Sequence, residues 1–172
     1  MEIYLIRHGI AAERGSYTKD GERPLTEKGI NKTTKVAQKL LDIGVTFEYI
    51  LSSPLVRAYQ TAEILKNTGL GKQITLHEPL AIGGDIQLWL QWLNDNYNEE
   101  SQIALVGHQP DLAHWAEMLV FGNICDLGFA EALRARFILK KAGIIGIKIL
   151  NKTEPIGNSE LFLLTSPKWF IL

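Results

Sequence analysis

A chain of 172 residues fits one domain, and at 46% hydrophobic and 22% charged it can bury a substantial core. Its 18 basic and 19 acidic side chains leave a net charge of −1, so no basic surplus points to nucleic acid or an anionic membrane, although a local basic pocket survives such averaging. The single cysteine, Cys125, excludes an intrachain disulfide framework or a Cys-based metal site and fits a reducing cytoplasm.

The elements alternate along the chain. Residues 2–7 carry the apolar, β-prone Ile3-Tyr4-Leu5-Ile6 and predict a first strand ending in Arg7-His8-Gly9. Met1-Glu2-Ile3-Tyr4-Leu5 lacks the basic start and long apolar run of a signal peptide. Residues 10–25 are rich in charge, Gly, Ser and Pro and predict a loop. Thr26 is placed to cap a helix running to about Ile43, with Ile30, Thr33, Ala37, Leu40 and Leu41 at helical spacing and Gly44 as the stop. Phe47–Leu51 predicts the second strand. Ser53-Pro54 predicts a helix start, Ser as N-cap and Pro at the first helical position, with Leu55, Ala58, Ala62 and Leu65 on one face and Gly69 at the end.

Ile74-Thr75-Leu76 predicts a short strand, and Gly83-Gly84-Asp85 a turn and cap before a helix bearing Leu88, Trp89, Trp92 and Leu93. Ile103–Val106 predicts a strand bounded by Gly107, and a further helix starts near Pro110-Asp111. Beyond residue 128 or so, Phe137–Leu139, Ile144–Leu150 and Leu161–Leu164 predict consecutive strands, with turns at Ala142-Gly143 and at 155–158. The fold class expected is therefore α/β, a single three-layer α/β/α domain over 1–172. Its central sheet is mostly parallel, with antiparallel edge strands near the C-terminus. No segment approaches the roughly 20 apolar residues that span a bilayer, and Trp169-Phe170-Ile171-Leu172 predicts a packed tail.

Three predicted strand ends carry polar groups: Arg7-His8-Gly9, Ser52-Ser53-Pro54 leading to Arg57, and Gly107-His108-Gln109-Pro110. In an open α/β sheet, ligands bind at the carboxyl ends of the strands. If these strands are parallel neighbours, two Arg and two His converge on one rim, and the glycine beside each histidine keeps the backbone open to a ligand. Two guanidiniums facing one pocket repel each other unless an anion lies between them, and the planar fork of arginine suits a tetrahedral oxyanion. The helix beginning at Ser53-Pro54 turns its positive end to the same rim. The ligand expected is a phosphoryl group. One neutral histidine would attack phosphorus, while the other, protonated, binds the equatorial oxygens. There is no metalloprotease or phosphate-loop motif and no Asp cluster for magnesium, so no cofactor is implied.

The blocks Arg7-His8-Gly9, Arg23-Pro24-Leu25-Thr26-Glu27-Lys28-Gly29, Ser52-Ser53-Pro54-Leu55-Val56-Arg57-Ala58-Tyr59-Gln60-Thr61-Ala62 and Val106-Gly107-His108 together resemble the histidine phosphatase (phosphoglycerate-mutase-like) superfamily. The short length, the run Gly107–Leu112 and the ending Leu161–Lys168 resemble its SixA type of phosphohistidine phosphatase. The resemblance implies His8 as phosphorylated nucleophile and Arg7, Arg57 and His108 as the phosphate pocket. It also implies a phosphorylated protein partner, such as a histidine-phosphotransfer domain, and a monomeric cytoplasmic enzyme.

The departures are also informative. Small-metabolite members usually carry an acidic residue and a lid insertion between the second arginine and the second histidine, whereas here the interval from Arg57 to His108 is short. Glu78 and Asp85 are the carboxylates expected to approach the site, neither within a motif, and Arg14 takes no assigned role. An alkoxide leaving group needs a proton, whereas imidazole can leave a phosphohistidine already protonated. The missing acid therefore favours a phosphoramidate displayed on a protein. The competing readings are a small-molecule phosphomonoesterase of the same superfamily and a phosphate-recognition module without turnover. His77 and His114 are read as structural or surface groups, Trp89 and Trp92 as core and rim of one helix, and Cys125 as inert.

Overall fold

A computed structural model describes residues 1–96, 101–122 and 137–170. Its strands are β1 (Glu2–Arg7), β2 (Tyr49–Ser52), β3 (Ile74–Leu76), β4 (Gln102–Gly107), β5 (Ile144–Ile149) and β6 (Ser159–Thr165). Its helices are α1 (Glu27–Asp42), α2 (Val56–Asn67), α3 (Ile86–Asn96) and α4 (Asp111–Phe121). The strands form one sheet in the order β3-β2-β4-β1-β5-β6. β3, β2, β4 and β1 are mutually parallel, while β5 runs antiparallel to both β1 and β6. The mostly parallel sheet with its antiparallel C-terminal portion is thus as expected.

Side chains alternate across this sheet. Ile3, Leu5, Leu51, Ile103 and Leu105 face a core closed by α3 and α4. Tyr4, Ile6, Ile50, Ala104 and Val106 face a second core closed by α1 and α2. The central strands are apolar on both faces because helices cover both. Each fully buried Leu or Ile in these layers contributes about 1.5–3 kcal/mol relative to exposure. Trp89 is buried and stacks on Trp115, and Trp92 meets Tyr49 and His77 edge-on, so the helix carries core and rim tryptophans as expected.

Several local expectations change. Thr26 caps α1, its hydroxyl accepting from the Gly29 N–H at 3.0 Å, but the buried face is Thr33, Val36, Ala37 and Leu40, while Ile30 is exposed. The helix turns its stripe by about one position because Gly29, and not Ile30, lies against Ile10. α2 starts at Val56 with Leu55 as its cap and no side-chain cap, so Ser53 does not serve as its N-cap. Phe137–Leu139 forms no strand, and its backbone turns to side chains instead: the Phe137 N–H donates to Glu117 Oε1 and the Leu139 carbonyl accepts from Arg7. Leu88 is exposed. In the C-terminal tail Phe170 packs on the second core while Trp169 is exposed. Cys125 lies outside the described residues.

Candidate active site

Register brings the three polar strand ends together. Arg7 pairs with Gly107 across β1 and β4, and Ser52 pairs with Val106 across β2 and β4. β4 lies between the other two strands, so the chain emerging after each reaches one rim. Two hydrogen bonds continue the ladder past the strand ends, His8 N–H to the Gly107 carbonyl and Ser53 N–H to the Val106 carbonyl. Arg7, His8, Arg57 and His108 all line one cavity of about 720 Å³ at this rim.

His8 is buried, and its Nδ1 lies 2.7 Å from the Gly9 carbonyl oxygen. A carbonyl only accepts, so Nδ1 carries the proton and Nε2 keeps its lone pair. Burial pushes the His8 imidazole down to about 3, and His108, Arg57 and Arg7 act in the same direction. His8 is therefore neutral across the physiological range.

His108 stands 5.2 Å from His8, centroid to centroid, and its Nε2 is 2.8 Å from Ser53 Oγ. Ser53 is fully buried, and its oxygen accepts from the Leu55 N–H at 3.3 Å. The Ser53 hydroxyl and His108 Nε2 share one hydrogen bond, whose direction follows the tautomer of the ring. Nδ1 has no hydrogen-bond partner among the described residues. Burial, then Arg57 and Arg7, lower His108 to about 4. The protonated state expected of this histidine is thus not that of the anion-free site. A bound dianion would raise its proton affinity.

The arginines are fixed differently. Arg7 Nη1 donates to the Leu139 carbonyl at 2.8 Å, tying β1 to the segment before β5. Arg57 is 2% exposed; its Nη1 donates to the Asp20 carbonyl and its Nη2 to the Asp20 carboxylate, at 2.8 and 3.0 Å. Arg23 donates through Nε to the same carboxylate at 2.8 Å and through Nη1 to the Ala12 carbonyl at 2.7 Å. Burial raises the Asp20 carboxyl, but Arg23 and Arg57 together hold it below the usual carboxylate range. Neither Asp20 nor Arg23 carries an assigned role in the sequence reading. The signal lay in their spacing, since Asp20 and Arg23 at i and i+3 meet across one 3₁₀ turn.

Thr61 and Gln60 of α2 lock the loop onto this frame. Thr61 Oγ1 accepts from the Gly9 N–H and donates to the Arg57 carbonyl, while Gln60 Oε1 accepts from the Leu25 N–H. Gly9 does not open the backbone to a ligand as expected. A Cβ there would sit 2.5 Å from Thr33 Oγ1, so the glycine admits α1. At Gly107 the nearest atoms are Leu112 and the Leu80 carbonyl, again protein and not ligand.

The carboxylates expected near the site do not line it. Glu78 is exposed on a 3₁₀ turn at 78–80, and Asp85 accepts from the Gln87 N–H at the start of α3. Among the described residues, the acidic residue on the cavity wall is Glu13, from the loop before Arg14, which lines the cavity too.

A mostly parallel sheet whose carboxyl rim gathers two arginines and two histidines around one cavity defines an α/β protein with a cationic pocket where such folds bind their ligands. The histidine phosphatase superfamily (branch 1) matches residues 3–81. Over 173 aligned positions, covering 99% of both chains, the protein is 46% identical to an uncharacterized protein of Picosynechococcus sp.. The solved structure of the protein histidine phosphatase SixA complexed with tungstate superposes with a TM-score of 0.80 at 25% identity, covering 98% of each chain. A phosphoserine phosphatase of Entamoeba histolytica shares the fold at a TM-score of 0.68 and 21% identity, with 99% of each chain covered. The chain belongs to the histidine phosphatase superfamily, and its fold is SixA-like. Among the described residues, no helix is long and apolar enough to cross a membrane.

Proposed function

We propose that this protein, acting as one domain over 1–172, is a metal-independent phosphatase that hydrolyses phosphohistidine on a protein partner through a phosphohistidine intermediate on His8. The observation that carries this reading is the 2.7 Å hydrogen bond from His8 Nδ1 to the Gly9 carbonyl. It presents an unprotonated Nε2 at the bottom of a cationic pocket, which is what a nitrogen nucleophile towards phosphorus requires.

In the first step the Nε2 lone pair forms a bond to phosphorus. The bond from phosphorus to the substrate imidazole breaks, and its electron pair stays on the released nitrogen, so the ring departs as neutral imidazole with the proton it already carried on its other nitrogen. In the second step a water oxygen bonds to phosphorus, the Nε2–P bond breaks with its pair returning to Nε2, and the water proton passes to solvent. Phosphoryl transfer depends chiefly on positioning and on neutralising charge spread over the equatorial oxygens. Arg7, Arg57 and His108 supply that here. The SixA structure with tungstate supports the reading, since it pairs the most similar fold reported above with a tetrahedral oxyanion.

The test is turnover of a phosphohistidine protein by wild type and His8→Ala, with trapping of acid-labile phosphate on the enzyme. Loss of label and a fall of about a thousandfold or more in turnover are expected for His8→Ala. Undiminished turnover in that variant would sink the assignment. Glu13 favours a second reading, a small-molecule phosphomonoesterase, because a carboxylic acid on the cavity wall could protonate an alkoxide. A strong preference for phosphate esters over a phosphohistidine protein, abolished by Glu13→Gln, would favour that reading.

A further inference from the structure

A second cavity, of about 520 Å³, adjoins the phosphate pocket and shares Arg7, Ile10 and Lys141 with it. Its wall adds Lys32 from α1, Lys140 from the turn before β5, and Lys168 from the 3₁₀ turn at 167–169. Among the described residues, no acidic side chain lines it. Arg14 and Lys28 stand on the wall of the pocket itself. A protein of net charge −1 has therefore gathered a cluster of cations at one corner of its surface.

These cations feel one another. Burial, then Arg7, Arg23, Arg14 and Arg57, weaken the hold of Lys141 on its proton. Their scaffold is fixed: the Ala142 N–H donates to the Arg7 and His8 carbonyls, and Gly143 N–H closes the turn onto the Lys140 carbonyl. Ala142 adopts φ +58°, a left-handed conformation that a non-glycine residue takes up only where its surroundings hold it. The turn thus holds the lysine pair beside Arg7. Like charges held together without an acidic neighbour in the wall lower their mutual repulsion when anions enter.

We propose that this lysine-lined groove, running from Arg7 to Lys168, docks an acidic segment of the partner protein next to its phosphorylated residue. The assignment rests on the phosphoprotein reading given above and adds the chemistry of the partner's surface. The occupant must present a phosphoryl group to His8 and further negative charges alongside it. An acidic polypeptide segment does both. A nucleic acid or an anionic bilayer presents an extended anionic face, and the cations here are confined to one corner of a protein with slightly more acid than base.

The probes are two synthetic peptides of equal length, each with one phosphohistidine, flanked by Glu in one and by Gln in the other. Free phosphohistidine serves as the reference substrate. Lys140 and Lys168 are both exposed, so Lys140→Gln/Lys168→Gln is expected to fold normally. Wild type should favour the Glu peptide in kcat/KM by about tenfold at low salt, through KM. About 0.5 M salt should collapse that preference, since screening shortens the range of exposed charges. The double variant should lose the preference while turning over free phosphohistidine at the wild-type rate. Equal use of both peptides by wild type would overturn the proposal. So would an equal fall on all three substrates in the double variant, or a Glu preference that survives the double substitution. If phosphohistidine is not hydrolysed at all but phosphate esters are, the phosphohistidine reading fails by itself. The same Glu and Gln pair built on phosphoserine then reads the groove, with the same outcomes deciding it.

Discussion

Asp20 holds both terminal nitrogens of Arg57, one through its backbone carbonyl and the other through its carboxylate. The guanidinium is 2% exposed, and the carboxylate half faces water. A loop residue therefore sets the direction of a helix residue on the cavity wall and, with Arg23, partly offsets its charge. An anion entering the cavity meets an arginine that is already oriented, so less freedom is lost on binding.

Replacing Asp20 tests that relationship. Asp20→Asn leaves a buried guanidinium without its counter-charge, and half-exposure of the carboxylate tempers the loss to about 1–2 kcal/mol of stability. Inorganic phosphate should recover more stability in the variant than in wild type, since it supplies the missing negative charge. Thermal unfolding against phosphate concentration measures this. Equal phosphate shifts in the two proteins would show that Asp20 does not support Arg57.

The position of the phosphoryl group on His8 is expected to be Nε2. The Nδ1–H is committed to the Gly9 carbonyl, so a bond from phosphorus to Nδ1 would cost that hydrogen bond and turn the ring. Isotope-edited NMR of the trapped phosphoenzyme distinguishes the two isomers. A predominant Nδ1 adduct would contradict the geometry.

The two site histidines should make the fold sensitive to mild acid. Both have folded-state values below the ordinary 6.5, His8 at about 3 and His108 at about 4. Between 6.5 and those values the unfolded chain binds protons that the folded one refuses, so stability falls as pH falls, by up to about 1.4 kcal/mol per pH unit per histidine. The contribution is complete above 6.5 and is lost on the way down to about 3 and 4. Urea unfolding at pH 7, 6 and 5 should show a steeper decline for wild type than for His108→Gln. Parallel declines would mean that His108 titrates alike in the folded and unfolded chain.

Gly9 should tolerate alanine poorly for a reason unrelated to ligand access. The added methyl meets Thr33 Oγ1 at 2.5 Å, and overpacking of this kind costs about 1–3 kcal/mol. Thr33 Oγ1 has no hydrogen-bond partner among the described residues, so Thr33→Ala on its own should be nearly neutral. The double variant Gly9→Ala/Thr33→Ala should regain most of the stability lost by Gly9→Ala, measured by chemical denaturation. Simple additivity of the two substitutions would place the strain elsewhere.

The order of elements was legible in the sequence because apolar periodicity and caps such as Thr26 are local signals. So was the meeting of Arg7, His8, Arg57 and His108, once three strand ends were taken as parallel neighbours. Ser53 misled: its hydroxyl matches an N-cap in composition, yet it goes to His108, and α2 begins three residues later at Val56. Phe137–Leu139 misled in the same way, an apolar run whose backbone partners are the side chains of Glu117 and Arg7.

By itself, the sequence determined which residue types stand at each strand end, since a strand, its apolar faces and the polar residue that follows it are neighbours in the chain. Tertiary structure decided how those residues are tuned. The Gly9 carbonyl decides which ring nitrogen of His8 carries the proton, Asp20 reaches Arg57 across 37 positions of chain, and Glu13, not Glu78 or Asp85, stands on the cavity wall. The loop from 10 to 25 has no periodicity to read. Its path is set by pairing of Ala11 with Leu25, by Arg23 on Ala12, and by Gln60 of α2 on Leu25, contacts between residues distant in the chain, the last of which needs α2 in place.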